Sequence, residues 1–306
     1  MNLFLKHPKL VGVFWILVTK FSFVCMLTIV KYLKDYSPLQ LNFLRSAIIF
    51  LILLPTLTLS KGISSLKTKQ PLYQFIRMLF SAGAMICFFY GYRMIPIAKA
   101  SAINFSYALI VPAFSCFFLD ECVSWRRWAY LITGYIGILI IINPIFEVFE
   151  MGELIALIGV ILLAAASILV KKLTDTDKNH VLVFYSSVAT TGLLGAYFIG
   201  QCALGVEFPT LPCWTGIKTQ DYYLIGAIVL FSLIGQFSYV EAYRKGRLNF
   251  LAGFDYLKFL FATILGYIVF GEIIEATTFY GSLLILVCIY LNTKEELKDT
   301  SDQTQP

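Results

Sequence analysis

Apolar stretches of about twenty residues alternate with short polar breaks along nearly the whole chain, and about 20 apolar residues in a helix cross the hydrocarbon core of a bilayer. The pattern predicts ten spanning helices, near 10–33, 38–59, 71–93, 96–119, 125–145, 152–172, 181–203, 221–244, 248–270 and 275–292. The breaks carry turn chemistry: Asp35-Tyr36-Ser37-Pro38, the polar run from Ser60 to Gln70, Ile95-Pro96, Asn143-Pro144, Thr174 to Asn179, and Phe208 to Pro212. Residues 293–306 form a polar tail, expected to be disordered or a frayed helix end. The start, Met1 to Pro8, lacks the charged region and cleavage site of a signal peptide, so the first span is expected to be retained as a helix.

Two of these stretches repeat each other. Laid 151 positions apart, Lys99 to Glu121 and Phe250 to Glu272 place Asn104 on Asp255, Tyr107 on Lys258, and Phe118-Leu119-Asp120-Glu121 on Val269-Phe270-Gly271-Glu272. Residues 10–145 and 152–292 then read as two five-helix units. A five-helix unit ends on the side opposite its start, so the second unit is expected upside down relative to the first, the plan of transporters built from inverted repeats.

Composition agrees with a bilayer protein. The chain is 59% hydrophobic and 14% charged, with a mean hydropathy of +0.80, against about 45–50% apolar and about 25% charged in soluble domains. The net charge of +6 does not point to nucleic acid, because the basic residues sit singly or in short clusters between apolar runs. With the N-terminus in the cytoplasm, 15 Lys and Arg fall on cytoplasmic segments and 5 on the other side, which places both termini inside. The seven cysteines are scattered without a Cys-x-x-Cys pair, and most lie in apolar spans as small hydrophobes. His7 and His180, the only histidines, fall at predicted cytoplasmic edges. This excludes His-based metal ligation or acid–base catalysis within the membrane. Phosphate-binding glycine loops and a Gly-x-Ser-x-Gly elbow are absent from the sequence.

Candidate binding residues are those whose position is costly. A charge in mid-span costs about 2.5–3.5 kcal/mol unless it pairs or meets water. Lys20 lies near the centre of the first span, beyond snorkelling reach of either end, and reads as functional or as half of an internal ion pair. Asp255 and Lys258 share a helical face. They form either a self-neutralising pair or a cavity lining that grips the two ends of a zwitterion. Asn104 joins them by repeat symmetry. Tyr90, Tyr107 and Tyr256 carry phenols that need partners inside a bilayer. Glu121 and Glu272 close the fourth helix of each unit and read as structural carboxylates, expected to find helix N-terminal amides or basic residues. Arg45 and Arg77 lie close enough to their helix starts to be expected as interfacial anchors. Pro112 frees a carbonyl near Ala108, where a kink is expected. The residues suggest no cofactor and no resident metal.

The ten spans, the Glu closing helix four of each unit, and the ordered set Phe43-Leu44-Arg45, Tyr90-Gly91-Tyr92, Ala98-Lys99-Ala100-Ser101-Ala102, Pro112, Ala242 to Arg247 and Gly271-Glu272 resemble the EamA-type members of the drug/metabolite transporter superfamily. Within it, Trp125-Arg126-Arg127-Trp128, Leu182 to Ser186 and Phe254 to Lys258 look most like the S-adenosylmethionine uptake transporters of intracellular bacteria. The resemblance implies an all-α integral membrane protein, ten helices around a central cavity. It further implies alternating access for a small polar metabolite across a bacterial inner membrane, with S-adenosylmethionine or a related amino-acid-like zwitterion as cargo. Export of amino acids, vitamins or drugs is the alternative within the family. An intramembrane enzyme or a non-transporting receptor is the alternative outside it. The partners implied are a small-molecule substrate and the lipid bilayer, with oligomeric state open.

The charge asymmetry makes topology testable. Reporters fused after Glu147 and Lys218 should report outside, and one fused after Lys298 inside. A C-terminus found outside overturns the count of ten helices.

Overall fold

A computed structural model of the chain describes residues 8–62, 66–95, 97–121, 123–142, 151–204, 214–271 and 276–303. Helices α1 (Pro8–Tyr32), α2 (Pro38–Lys61) and α3 (Pro71–Met94) give the first three spans, α4 (Ile97–Phe105) and α5 (Tyr107–Phe118) together the fourth, and α6 (Trp125–Ile142) the fifth. In the second half, α7 (Met151–Thr174), α8 (Asn179–Leu204) and α9 (Tyr222–Lys245) are followed by α10 (Leu248–Ala252), a 3₁₀ turn (Gly253–Tyr256) and α11 (Leu257–Phe270), which share the ninth span. The last helix is α12 (Ala276–Gln303). The described residues thus form ten helical rods without a strand, eight of them long and apolar enough to cross a membrane. The other two are α6, which opens on Arg126 and Arg127, and α12, which turns polar after Asn292.

Local chemistry sets the ends. Ser37 caps α2 by accepting a hydrogen bond from the Leu39 amide at 3.2 Å, with Pro38 in the first turn where its missing N–H costs nothing. After residue 292 α12 continues through the polar residues to Gln303, and Glu296 is buried there against Arg127. At the face where α1 ends, the loop before α9 is tied to the loop before α2. Tyr36 donates to Asp221 at 2.6 Å and accepts from the Lys218 amide at 3.0 Å, while Gln40 pairs with the Thr215 backbone on both sides. Lys218 also bonds Asp35, and this carboxylate raises its pKa.

In a bilayer, burial in lipid is no weaker than burial in protein, so helices associate through close packing rather than water exclusion. Large apolar side chains such as Leu51, Leu79, Ile136 and Ile268 accordingly face outward, and the tightest helix contacts are made by small residues. The strongest pairings are α3 with α7, α1 with α9, α6 with α12, and α2 with α8. Each joins the first half of the chain to the second. At α3–α7, a Cβ on Gly152 would stand 2.7 Å from the Met94 Cβ, and one on Gly91 3.0 Å from the Gly152 carbonyl oxygen. At α1–α9, a Cβ on Gly12 would stand 3.2 Å from the Gly246 Cα. The principal apolar core, with Ile16, Tyr107, Val111, Leu248, Leu251 and Phe254, fills the interior toward the face where α1 begins.

The α6–α12 contact gives a direct test. A Cβ on Gly281 would lie 2.3 Å from the Ile141 Cγ1 and 2.7 Å from the Gly137 carbonyl oxygen, whereas a Cβ on Gly226 meets nothing within 4 Å. Gly281→Ala should therefore cost about 1–3 kcal/mol through forced separation, and Gly226→Ala should be neutral or slightly stabilising. Thermal unfolding of the two purified variants in detergent checks both.

Candidate functional site

The site is built by two interrupted spans. In the fourth, the helix breaks at Ser106, whose hydroxyl donates back to the Ile103 carbonyl at 2.6 Å, competing with the helical ladder. The break comes at Ser106, and α5 then runs unbroken through Pro112. In the ninth, the 3₁₀ turn Gly253–Tyr256 tightens the backbone between α10 and α11. A 3₁₀ turn advances each side chain by about 120° rather than about 100°, and neighbouring residues there point to different helices. Asp255 meets α1, whereas Tyr256 donates to the Leu131 carbonyl of α6 at 3.1 Å.

Asp255 is the centre of the arrangement. Its Oδ1 accepts from Lys20 of α1, and its Oδ2 accepts from Lys258, one turn along, at 2.8 Å. Lys20 and Asp255 are 3% and 2% exposed, while the Lys258 side chain is 36% exposed. The group sits at the inner end of an open cavity of about 610 Å³ between α1, α4 and α11, lined among others by Thr28, Ser101, Asn104, Phe105, Asp255 and Lys258. Lys31 and Phe270, at the far ends of α1 and α11, stand at its mouth, the ammonium 4.7 Å from the ring centroid. The cavity therefore opens toward the face where α1 ends, and the packed core closes the other side. Its volume matches that of small-molecule sites, about 300–1,000 Å³.

Of the sequence-predicted residues, the structure brings Lys20, Asn104, Asp255 and Lys258 together. Tyr107 and Tyr256, the other described candidates, find their partners elsewhere and do not line this cavity. Tyr107 bonds Ser167 at 2.7 Å and Tyr243 at 3.2 Å, and Tyr239 bonds the same Ser167 at 3.0 Å, making a buried hydroxyl cluster on the closed side. Tyr256 packs against Gly134 of α6, the only kind of residue that leaves room for its ring, since a Cβ there would be 2.8 Å from the Tyr256 Cε2. Tyr90 lies in α3, its side chain outside the described residues, and Glu272 lies wholly outside them.

Glu121 folds back at the end of α5 through Asp120, which adopts a left-handed φ of 54°. Its carboxylate accepts from Ser115 at 2.7 Å and from the Leu248 and Asn249 amides at 3.4 and 3.2 Å, so it caps the N-terminus of α10 across the two halves. Arg45 and Arg77, expected at the interface, instead turn inward. Arg45 donates to Ser232 and Asn42 at 2.6 and 2.5 Å, and Arg77, 5% exposed, donates to Ser186 and the Leu182 carbonyl at 2.9 and 3.2 Å. Two buried ion pairs, Lys99 with Glu153 at 2.9 Å and Arg127 with Glu296, were not legible beforehand. Their members lie at span ends, where the sequence pattern reads charge as solvated.

The fold and the site invite comparison with known proteins. Residues 10–143 match the EamA-like transporter family. Beyond this EamA-like segment, relatives align over most of the chain. An S-adenosylmethionine uptake transporter of Rickettsia felis is 25% identical over 90% of both chains. A riboflavin transporter of Vibrio cholerae is 26% identical over 96% of both. A pseudopaline exporter of Pseudomonas aeruginosa is 25% identical over 92% of this chain and 95% of its own. A solved crystal structure 17% identical in sequence superimposes with a TM-score of 0.72, covering 92% of this chain and 94% of that one, and so shares its fold. The EamA-like match ends where α6 ends, and the interrupted ninth span with Asp255 lies beyond it.

The Glu121 cap predicts a graded response. Glu121→Ala removes the acceptor for two α10 amides and Ser115 and should lower stability by about 1–2 kcal/mol, whereas Glu121→Gln keeps one oxygen and should lose less. Unfolding midpoints of the two variants, compared with the parent chain, decide it.

Proposed function

We propose that this multi-pass membrane protein is a secondary transporter that carries a small metabolite bearing separated negative and positive groups, by alternating access and without chemical conversion. The observation that carries the reading is the Lys20–Asp255–Lys258 group at the end of the cavity. Two ammoniums share one carboxylate, leaving a formal local charge of +1. In surroundings of low dielectric that excess attracts a carboxylate or phosphate strongly. Lys258, the more exposed of the two lysines, is the one within a ligand's reach. A cationic group on the same ligand would settle near Asp255 and the Phe105 or Phe259 ring, both of which line the cavity.

The charge pattern also ranks the cargoes. S-adenosylmethionine, named for the Rickettsia felis relative, carries a carboxylate, an amine and a sulfonium. Riboflavin, named for the Vibrio cholerae relative, has no charged group to match two lysines and an aspartate. An S-adenosylmethionine-like zwitterion is therefore the cargo class we favour.

Three features support an inverted repeat, the framework for alternating access. The fourth and ninth spans break at Ser106 and at Gly253–Tyr256, neighbouring places at the 151-residue spacing, which sets Ser106 on Leu257, the residue directly after the turn. Asp120 and Gly271, equivalent at that spacing, both have positive φ, 54° and 66°. Exchanging the halves turns the α3–α7 pairing into α9–α1 and maps α6–α12 and α2–α8 onto themselves. The distribution of Lys and Arg supports cytoplasmic termini in a bacterial inner membrane, and the cavity then faces outward.

In proteoliposomes, Lys20→Ala should cut uptake at least about tenfold, equivalent to about 1.4 kcal/mol, with expression near normal. Asp255→Asn should weaken zwitterionic and cationic ligands more than anionic ones. Full transport by both variants would remove the group from the substrate path, and product formation during uptake would favour an enzyme.

A further inference from the structure

A second polar place lies across the bundle, between α3 and α8. A small cavity of about 60 Å³ is lined there by Arg77, Ser81, Met85, Ser186, Thr190 and Leu193. Arg77 presents five N–H donors in a planar fork. Its two terminal nitrogens donate to Ser186 and to the Leu182 carbonyl, but its Nε is buried without an acceptor. One turn earlier on the same face of α3, Gln74 is 1% exposed and both polar atoms of its amide lack a partner. Among the described residues neither Arg77 nor Arg45 makes an ion pair with a carboxylate. Asp177, the carboxylate whose charge acts on Arg77, is engaged by Thr68 and by the Lys69 amide at 2.9 Å.

A guanidinium whose charge no carboxylate pairs, with hydroxyls on the cavity wall beside it, makes a site of positive potential that lacks its anion. The space fits about four water-sized atoms, since about 10–15 Å³ of such space holds one water. We propose that this cavity binds a carboxylate-sized oxyanion on Arg77, with the Ser81 side of the wall shaping its fit. The anion is a free small carboxylate. Fork geometry favours a planar carboxylate over a halide. The site is separate from the Lys20–Asp255–Lys258 group and stands whether or not the chain transports.

The test reads binding on the purified full chain in detergent, by its thermal unfolding midpoint at neutral pH. Sodium formate and acetate are compared at equal ionic strength with sodium gluconate, a carboxylate too large for the cavity. Formate and acetate should raise the midpoint above the gluconate value, because a ligand that binds only the folded state stabilises it. Arg77→Gln should abolish the rise. Ser81→Leu, which fills the space and leaves Arg77 in place, should abolish it too and decides the matter if Arg77→Gln does not fold. Lys20→Ala should retain it. No rise in the parent chain, an equal rise with chloride, a rise with inorganic phosphate alone, or a rise that survives Ser81→Leu would each overturn the proposal.

Discussion

One carboxylate shared by two lysines inside a bilayer is the interaction on which the arrangement around it depends. An isolated ammonium in mid-span costs about 2.5–3.5 kcal/mol, and two of them near each other would also repel. Asp255 answers both, but only if it is presented to α1 while its neighbour Lys258 stays within a turn. The 3₁₀ segment Gly253–Tyr256 achieves this by turning Asp255 toward Lys20 and Tyr256 toward α6. Backbone irregularity at membrane depth is tolerated where protein or a water-filled cavity covers it, and Asp255 and Tyr256 are both almost fully buried.

The interior is positive beyond that group. Lys20, Lys258, Arg45 and Arg77 all fall within spans, and only the two lysines meet a carboxylate there. Hydroxyls, an amide and a backbone carbonyl accept from the terminal nitrogens of the arginines instead. Neutral acceptors take hydrogen bonds from a guanidinium and leave its charge uncancelled, so a cavity walled this way favours anionic groups over neutral ones.

The span count was legible because hydrophobic length is a one-dimensional signal, and so was the need of Lys20 for an internal partner, though the sequence left unnamed which carboxylate it meets. Lys258 and Asn104 followed from helical spacing and from the repeat. Tyr107 and Tyr256 were misplaced for one reason: a sequence shows that a phenol is buried but not which way a broken helix turns it. The tightening at Gly253–Tyr256 and the break at Ser106 carry no proline to announce them. Arg45 and Arg77 were misread because nearness to a helix end permits snorkelling without requiring it. Ser186 and Ser232, which draw them inward, lie 109 and 187 residues away in the chain.

The strongest helix pairings all cross between halves, and this fixes how the molecule must come into being. As the ribosome delivers the first five spans, the small-residue faces of α1 and α3 have nothing to dock against. Lys20 leaves the ribosome 235 residues ahead of Asp255, which at about 5–20 residues per second is an interval on the order of ten to fifty seconds. Throughout that interval the nascent chain holds an uncompensated ammonium that belongs at mid-membrane. Insertion of α1 is therefore provisional until the ninth span arrives, and the two halves are completed together rather than one after the other.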